Sequence, residues 1–172
     1  MLETTTRPDR ADAYRLGGLA LLIATGIILA ALGFEVLGGY APCPLCRMQR
    51  YAFYAGIPLT FVAMALVAEH ARIAALLFFA VALGFLANAG LAAYHTGVEW
   101  HFWPGPDTCA TAQNLPTNPS ELLQGLENTR VVRCDEAPWH LFGLSFAGWN
   151  VIISLALFAI LLQAAFAAAP RD

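Results

Sequence analysis

Four apolar blocks, each close to the length a helix needs to cross a bilayer, restrict this chain more than any other feature of its sequence. They run from about Leu16 to Leu37, Tyr51 to Ala68, Ile73 to Tyr94 and Leu141 to Leu162. A helix crosses the hydrocarbon core in about 20 residues. A spanning backbone must satisfy its own hydrogen bonds, so these blocks read as helices and not as open strands. Gly, Ala and Ser recur inside them, which lets helices approach closely in lipid. The expectation is an all-α, integral membrane four-helix bundle forming a single domain over 1–172. Pro58 falls inside the second block and is expected to kink it. The first block follows Arg7, Arg10 and Arg15, as in a signal peptide, but it is too long for a signal h-region and reads as an uncleaved span.

The connections are unequal. Residues 38–50 form a short Gly/Pro-rich turn with two cysteines, and residues 69–72 form a tight polar turn. Residues 95–138 form a long loop with five prolines and the other two cysteines. Ser120 to Leu126 fits a short amphipathic helix there, with Ser120 as its cap and Leu122, Leu123 and Leu126 on one face. Four spans put both termini on one side and both cysteine loops on the other. The termini and the 69–72 turn carry five arginines and the cysteine side four. The positive-inside rule therefore favours cytoplasmic termini by a thin margin. Redox chemistry gives the stronger reason, because disulfides persist on the oxidising face of a membrane. Both cysteine loops are placed in the periplasm on that ground. Only 12% of residues are charged, lysine is absent, and the net charge of -3 is scattered. Nothing in that pattern points to nucleic acid, and no nucleotide-binding glycine motif is present.

Cys43-Pro44-Leu45-Cys46 is a C-x-x-C at the mouth of the second span. Its two sulfurs are near enough to form and break a disulfide. Cys46 lies at a helix N-terminus, where exposed amides and the helix dipole favour the thiolate. Arg47 follows in place of the histidine of a haem-attachment motif. Cys109 and Cys134 form the second pair, which reads either as a static staple or as an exchange partner for the first. Four thiolates on one face would also suit a Cys₄ metal site, although only one pair has C-x-x-C spacing.

Arg50 lies one helical turn beyond Cys46 and reads either as an interfacial anchor or as a cation that favours a thiolate and holds an anionic acceptor, while Arg47, on a different face, reads as an anchor. Eight of the nine Trp and Tyr residues fall near the cysteine side, which fits an interfacial belt or a site for a flat aromatic ligand. His95 closes the third span and can relay a proton or act as an interfacial residue. Glu35, near the end of the first span, either reaches the interface or serves the site.

Taken together, these residues resemble the disulfide bond formation protein B (DsbB) family of bacterial inner-membrane thiol:quinone oxidoreductases. The resemblance covers nearly the whole chain. It rests on the four spans, the Cys-Pro-Leu-Cys between the first two and the cysteine pair between the last two. It also rests on Gln49-Arg50, on Tyr94-His95-Thr96, and on the stretch from Cys134 through Trp139, Gly143 and Leu144 to Trp149 and Asn150. Glu35 departs from the family, which commonly shows Gln there. Vitamin K epoxide reductases share a four-helix bundle and quinone chemistry, but their loop cysteines precede the C-x-x-C, whereas here they follow it.

The resemblance implies a periplasmic thioredoxin-fold dithiol oxidase (DsbA-like) as partner and a membrane quinone, ubiquinone or menaquinone, as acceptor. It implies four catalytic cysteines: Cys109 attacked by the partner, Cys134 paired with it, and Cys43 and Cys46 as the membrane-proximal pair with Cys46 facing the quinone. A transient Cys43–Cys134 link would connect the pairs. Arg50 and His95 match the quinone-associated residues.

Overall fold

The computed structural model describes residues 8–106, 109, 133–137 and 139–170. Helix α1 runs Pro8–Val36, α2 Pro44–Leu66 and α3 Ala71–Glu99. A short hairpin, β1 His140–Leu141 and β2 Leu144–Ser145, leads into α4, Phe146–Ala168. Three of the four helices, α1 from Arg10, α3 and α4, are long and apolar enough to cross a membrane. Helix α2 is 23 residues long and carries Arg47, Gln49 and Arg50 in its opening turns, with Pro58 inside it.

Each helix packs against two others: α1 on α2, α2 on α3, α3 on α4 and α4 back on α1. The ring closes over a core in which alanines, among them Ala20, Ala24, Ala63, Ala82 and Ala164, alternate with Phe53, Phe78, Phe85, Leu157 and Leu161. Small residues let backbones approach until large ones interlock, the packing that association in lipid relies on. Phe53 meets Phe85 edge-on at 5.2 Å. Gly56 is required beside that contact, because a Cβ there would come within 2.9 Å of the Phe85 ring. The outer faces are apolar as well, with Leu22, Leu29, Phe61, Leu76 and Phe166 exposed. A helix apolar all round belongs in lipid.

A second, smaller core lies at one end of the bundle. It holds Cys43, Leu45, Val98, Cys109 and Cys134, with Cys46 and Leu91 packed against it. All four cysteines thus share one cluster.

The helix boundaries differ from the apolar blocks in several places: α1 begins at Pro8 and not at Leu16, and α3 runs on to Glu99 past Tyr94. Helix α2 begins at Pro44 and not at Tyr51, because Cys43 caps it and the proline starts it. Helix α4 begins at Phe146 and not at Leu141, because residues 140–145 turn back on themselves. Phe142 and Gly143 both have positive φ, 52° and 82°, as a two-residue hairpin turn of the primed type demands. The apolar Leu141, Phe142 and Leu144 conceal that turn within a helical pattern. At its far end α4 continues through Gln163 to Ala168, a stretch of good helix formers. The amphipathic helix expected over Ser120–Leu126 lies outside the described residues.

Candidate functional site

The C-x-x-C motif is itself the cap of α2. Cys43 has extended backbone (φ -66°, ψ 164°), Pro44 occupies the first helical position, and the Cys46 amide donates to Cys43 Sγ at 3.1 Å. A proline has no N–H to leave unpaired there. The helix N-terminus is thereby aimed at the first cysteine of the motif, whereas position along the chain favoured the second. The Cys43 thiol is held down to about 5 from an ordinary 9.0, chiefly by its hydrogen bond with the Cys46 side chain. Burial opposes this, and His95 and the Cys46 amide assist. The Cys46 amide and the His95 ring both reach Cys43 Sγ, so the geometry favours Cys43 as the thiolate of the reduced pair.

Helix α3 delivers His95 to the same point. Its Nε2 lies 3.7 Å from Cys43 Sγ, and its Nδ1 lies 3.0 Å from Gln49 Nε2. The imidazole is 2% exposed, so this contact with the thiol is made away from water. Glu99 sits one turn further along α3, with Oε1 3.9 Å from His95 Nε2. The Ser145 hydroxyl donates to the other Glu99 oxygen. Ser145 also caps α4 by accepting from the Gly148 amide at 3.1 Å. The hairpin that displaces the start of α4 is thus the device that places a donor over Glu99.

Arg50 projects from α2 towards α1, where its guanidinium pairs with Glu35 and donates to the Ala31 carbonyl at 3.5 Å. The Arg50 side chain is 15% exposed, deeper than a snorkelling anchor would lie. Arg50 is then a positive group on the wall of a cavity of about 630 Å³. That volume suits a drug-sized organic molecule. Cys43, Cys46, Gln49, His95 and Glu99 open onto the same space. Phe34, Trp139 and Phe146 line it as well, with Trp139 stacked on Phe146 at 4.8 Å. The wall therefore combines a thiol pair, three N–H-bearing side chains (Gln49, Arg50 and His95) and flat aromatic surfaces, a set that fits a flat organic molecule with polar edges. The aromatic residues divide between both expected roles. Tyr40, Trp139 and Trp149 line the cavity, while Tyr51, Tyr54, Tyr94, Trp100 and Trp103 are exposed in the manner of a belt.

Cys109 and Cys134 are joined in a disulfide with their Cα atoms 5.6 Å apart, while Cys43 and Cys46 are free thiols. That bond removes two of the ligands a Cys₄ metal site would need. The remaining donors, both Sγ atoms of the C-x-x-C and a ring nitrogen of His95, lie within 4.8 Å of one another. The loop disulfide packs directly onto this group, since the backbone of Cys134 meets the His95 ring.

All six residues expected at the site thus gather at one end of the bundle: Cys43, Cys46, Arg50 and His95 around the cavity, and Cys109 and Cys134 in the adjoining core. Glu99, Ser145 and the hydrogen bonds that join Gln49 to His95 and Asn150 were not expected. His95-x-x-x-Glu99 is an i,i+4 pair, so a helical reading carried past Tyr94 would have put both on one face. Nothing local signals Ser145, which reaches Glu99 through the tertiary fold.

The family model described as "Disulfide bond formation protein DsbB" matches residues 14–164. A disulfide bond formation protein B of Herminiimonas arsenicoxydans is 32% identical, covering 86% of this chain and 92% of that protein. One of Methylococcus capsulatus is 32% identical over 88% and 92%. One of Marinobacter nauticus is 31% identical over 90% and 94%. No solved structure matches the chain.

Proposed function

The chain belongs to the disulfide bond formation protein DsbB family, and on that premise we propose that it is a thiol:quinone oxidoreductase that reoxidises a periplasmic dithiol protein. As a member of this family it is a membrane-embedded disulfide-forming protein. The proposal concerns where its electrons come from and where they go. The observation that carries it is the placing of a reduced C-x-x-C on the wall of a cavity that also holds Arg50 and His95, with the loop disulfide in contact behind it.

The donor is a thioredoxin-fold dithiol oxidase. Such a partner can be strongly oxidising, at about -120 mV in the known example, so it needs a stronger oxidant downstream. Its thiolate attacks the Cys109–Cys134 bond, which leaves Cys109 in a mixed disulfide and Cys134 as a thiolate. The partner's second thiol resolves that link, and the partner departs as a disulfide. The reduced loop then exchanges with an oxidised Cys43–Cys46 bond, passing through a Cys43–Cys134 link. Two electrons and two protons enter the C-x-x-C in that exchange. Cys134 attacks Cys43 and releases Cys46; Cys109 then attacks Cys134 and releases Cys43, a good leaving sulfur because its thiolate is already favoured.

A bound quinone, ubiquinone or menaquinone, supplies the two-electron acceptor chemistry. Arg50 and His95 would hold its oxygens, and Cys46 would face its ring. Arg50 supplies positive charge near the sulfurs, and the cavity walls keep water from the reacting pair. Four spans with cytoplasmic termini would place the site at the periplasmic face of the inner membrane.

The test is anaerobic mixing of the purified protein with quinone and a reduced thioredoxin-fold dithiol. The expected result is one quinol formed per dithiol oxidised. Dithiol oxidation without quinol would refute the assignment of the acceptor.

A further inference from the structure

Behind His95 a line of polar side chains runs into the interior of the bundle. Asn88 Nδ2 on α3 donates to Ser154 Oγ on α4 at 2.9 Å. The Ser154 hydroxyl donates to Asn150 Oδ1 at 3.2 Å. Asn150 Nδ2 then crosses to α2 and donates to Gln49 Oε1 at 2.7 Å. Gln49 Nε2 meets His95 Nδ1 at 3.0 Å. Asn88, Gln49 and His95 are each 5% exposed or less, and Ser154 is fully buried. No buried side-chain polar atom is left without a partner among the described residues.

The direction of these bonds has a consequence at the ring. Each amide accepts on its oxygen and donates from its nitrogen, so the bonds run one way from Asn88 to His95. The last donor is an N–H of Gln49, which obliges Nδ1 to accept. A neutral imidazole has one donor and one acceptor, so its proton sits on Nε2. That nitrogen faces Cys43 Sγ at 3.7 Å and Glu99 Oε1 at 3.9 Å. His95 therefore presents an N–H, and not a lone pair, to the thiol that caps α2.

We propose that Asn88, Ser154 and Asn150 are positioning residues that act through Gln49 to fix the tautomer of His95, and so set how readily Cys43 ionises. The idea rests on the reading of Cys43 and Cys46 as the redox pair, but its test needs neither quinone nor partner. Bonds between helices also act as plain glue in membranes, so the experiment must separate the two roles. The other groups facing Cys43 and His95 are Cys46 and Arg50 from α2, Glu99 from α3, and Arg133, Cys134 and Glu136 from the loop. His140 and Ser145 reach the site only through Glu99. None of these is altered in the variants.

Ser154→Ala removes the hydroxyl that orients Asn150 and lets the two amides downstream reverse. The Nδ1–H tautomer then becomes available, with a lone pair facing Cys43. In reduced protein, the pH midpoint of Cys43 alkylation, followed site by site by mass spectrometry, should move up. The thiolate fraction at pH 5 should fall about tenfold, the scale of one lost hydrogen bond to a charged group. Ser154→Thr keeps the hydroxyl and should restore the midpoint. Nitrogen-15 spectra of histidine-labelled wild-type protein, with His95→Gln to assign the signal, should show the Nε2–H form. A Nδ1–H ring in the wild type would overturn the proposal. So would an unmoved midpoint in Ser154→Ala, whether or not that variant melts at a lower temperature. Loss of quinol formation in the wild type would instead count against the redox assignment and leave the tautomer result intact.

Discussion

Cys43 caps a 23-residue helix and Cys46 lies in its first turn, whereas Cys109 and Cys134 are tied to each other 25 positions apart in a loop that contains five prolines. Both pairs belong to one small core, but different physics governs them. The helical pair has fixed surroundings: an amide on Cys43 Sγ, an imidazole beside it and a guanidinium on the cavity wall. Those groups tune ionisation and hold geometry. The loop pair has no comparable set of donors among the described residues, and its bond acts mainly by closing a loop. Such closure stabilises by about 3 kcal/mol. A pair built on a rigid element suits chemistry at a buried acceptor, and a pair built on a loop suits meeting a large soluble partner.

Removing a sulfur from the rigid pair should have the largest effect. Cys46→Ser should lower quinol formation by roughly a thousandfold or more, the scale of losing a nucleophile. Retained quinol formation would show that the loop pair alone can deliver electrons, and the contrast between the pairs would collapse.

The next effect concerns ionisation. A group whose pKa is lowered keeps its anion at pH values above the new midpoint and loses it as pH falls through that midpoint. For Cys43 that midpoint is about 5, against an ordinary 9.0. At pH 7 its thiolate fraction should exceed that of an ordinary thiol by about a hundredfold. Alkylation of reduced Cys43 should therefore be flat from pH 8 to about 6 and fall below that, by about half near pH 5. A profile that still climbs between pH 7 and 9 would place the thiolate elsewhere.

Arg50 comes third. Arg50→Ala should reduce kcat/KM for quinone by about tenfold to thirtyfold, the worth of a charged hydrogen bond. Arg50→Lys should fall less, since it keeps charge and loses the planar fork. Equal loss in thiol exchange with the soluble partner would mean that Arg50 serves both pairs.

Glu35 should give the smallest change and the opposite sign. Its carboxylate neutralises Arg50 from outside the cavity. Glu35→Gln should leave the cation unpaired and lower the KM for quinone by about twofold to fivefold, the range of a partly exposed ion pair. A rise in KM would instead make Glu35 the residue that holds Arg50 in place.

Much of this arrangement was legible in the sequence, for identifiable reasons. Bilayer thickness fixes block length, so four helices could be counted directly. The spacing of Cys43 and Cys46 and the turn from Cys46 to Arg50 are local, and local periodicity reads them well. Tertiary effects were harder to read. Residues 140–145 look helical by hydropathy, yet Phe142 and Gly143 turn the chain and deliver Ser145 to Glu99. The link from Asn150 to Gln49 joins residues 101 positions apart, which no periodicity reports. The choice between Cys43 and Cys46 as thiolate depended on where one amide points, and that is a matter of cap geometry.

The division of labour between the pairs is best tested with two electron donors. A protein with both Cys109→Ser and Cys134→Ser, mixed anaerobically with quinone, should barely oxidise a reduced thioredoxin-fold dithiol. The same variant should still form quinol from dithiothreitol, which is small enough to reach Cys43 and Cys46 directly. Oxidation of the protein dithiol at the wild-type rate would contradict the account and leave the loop disulfide as a staple.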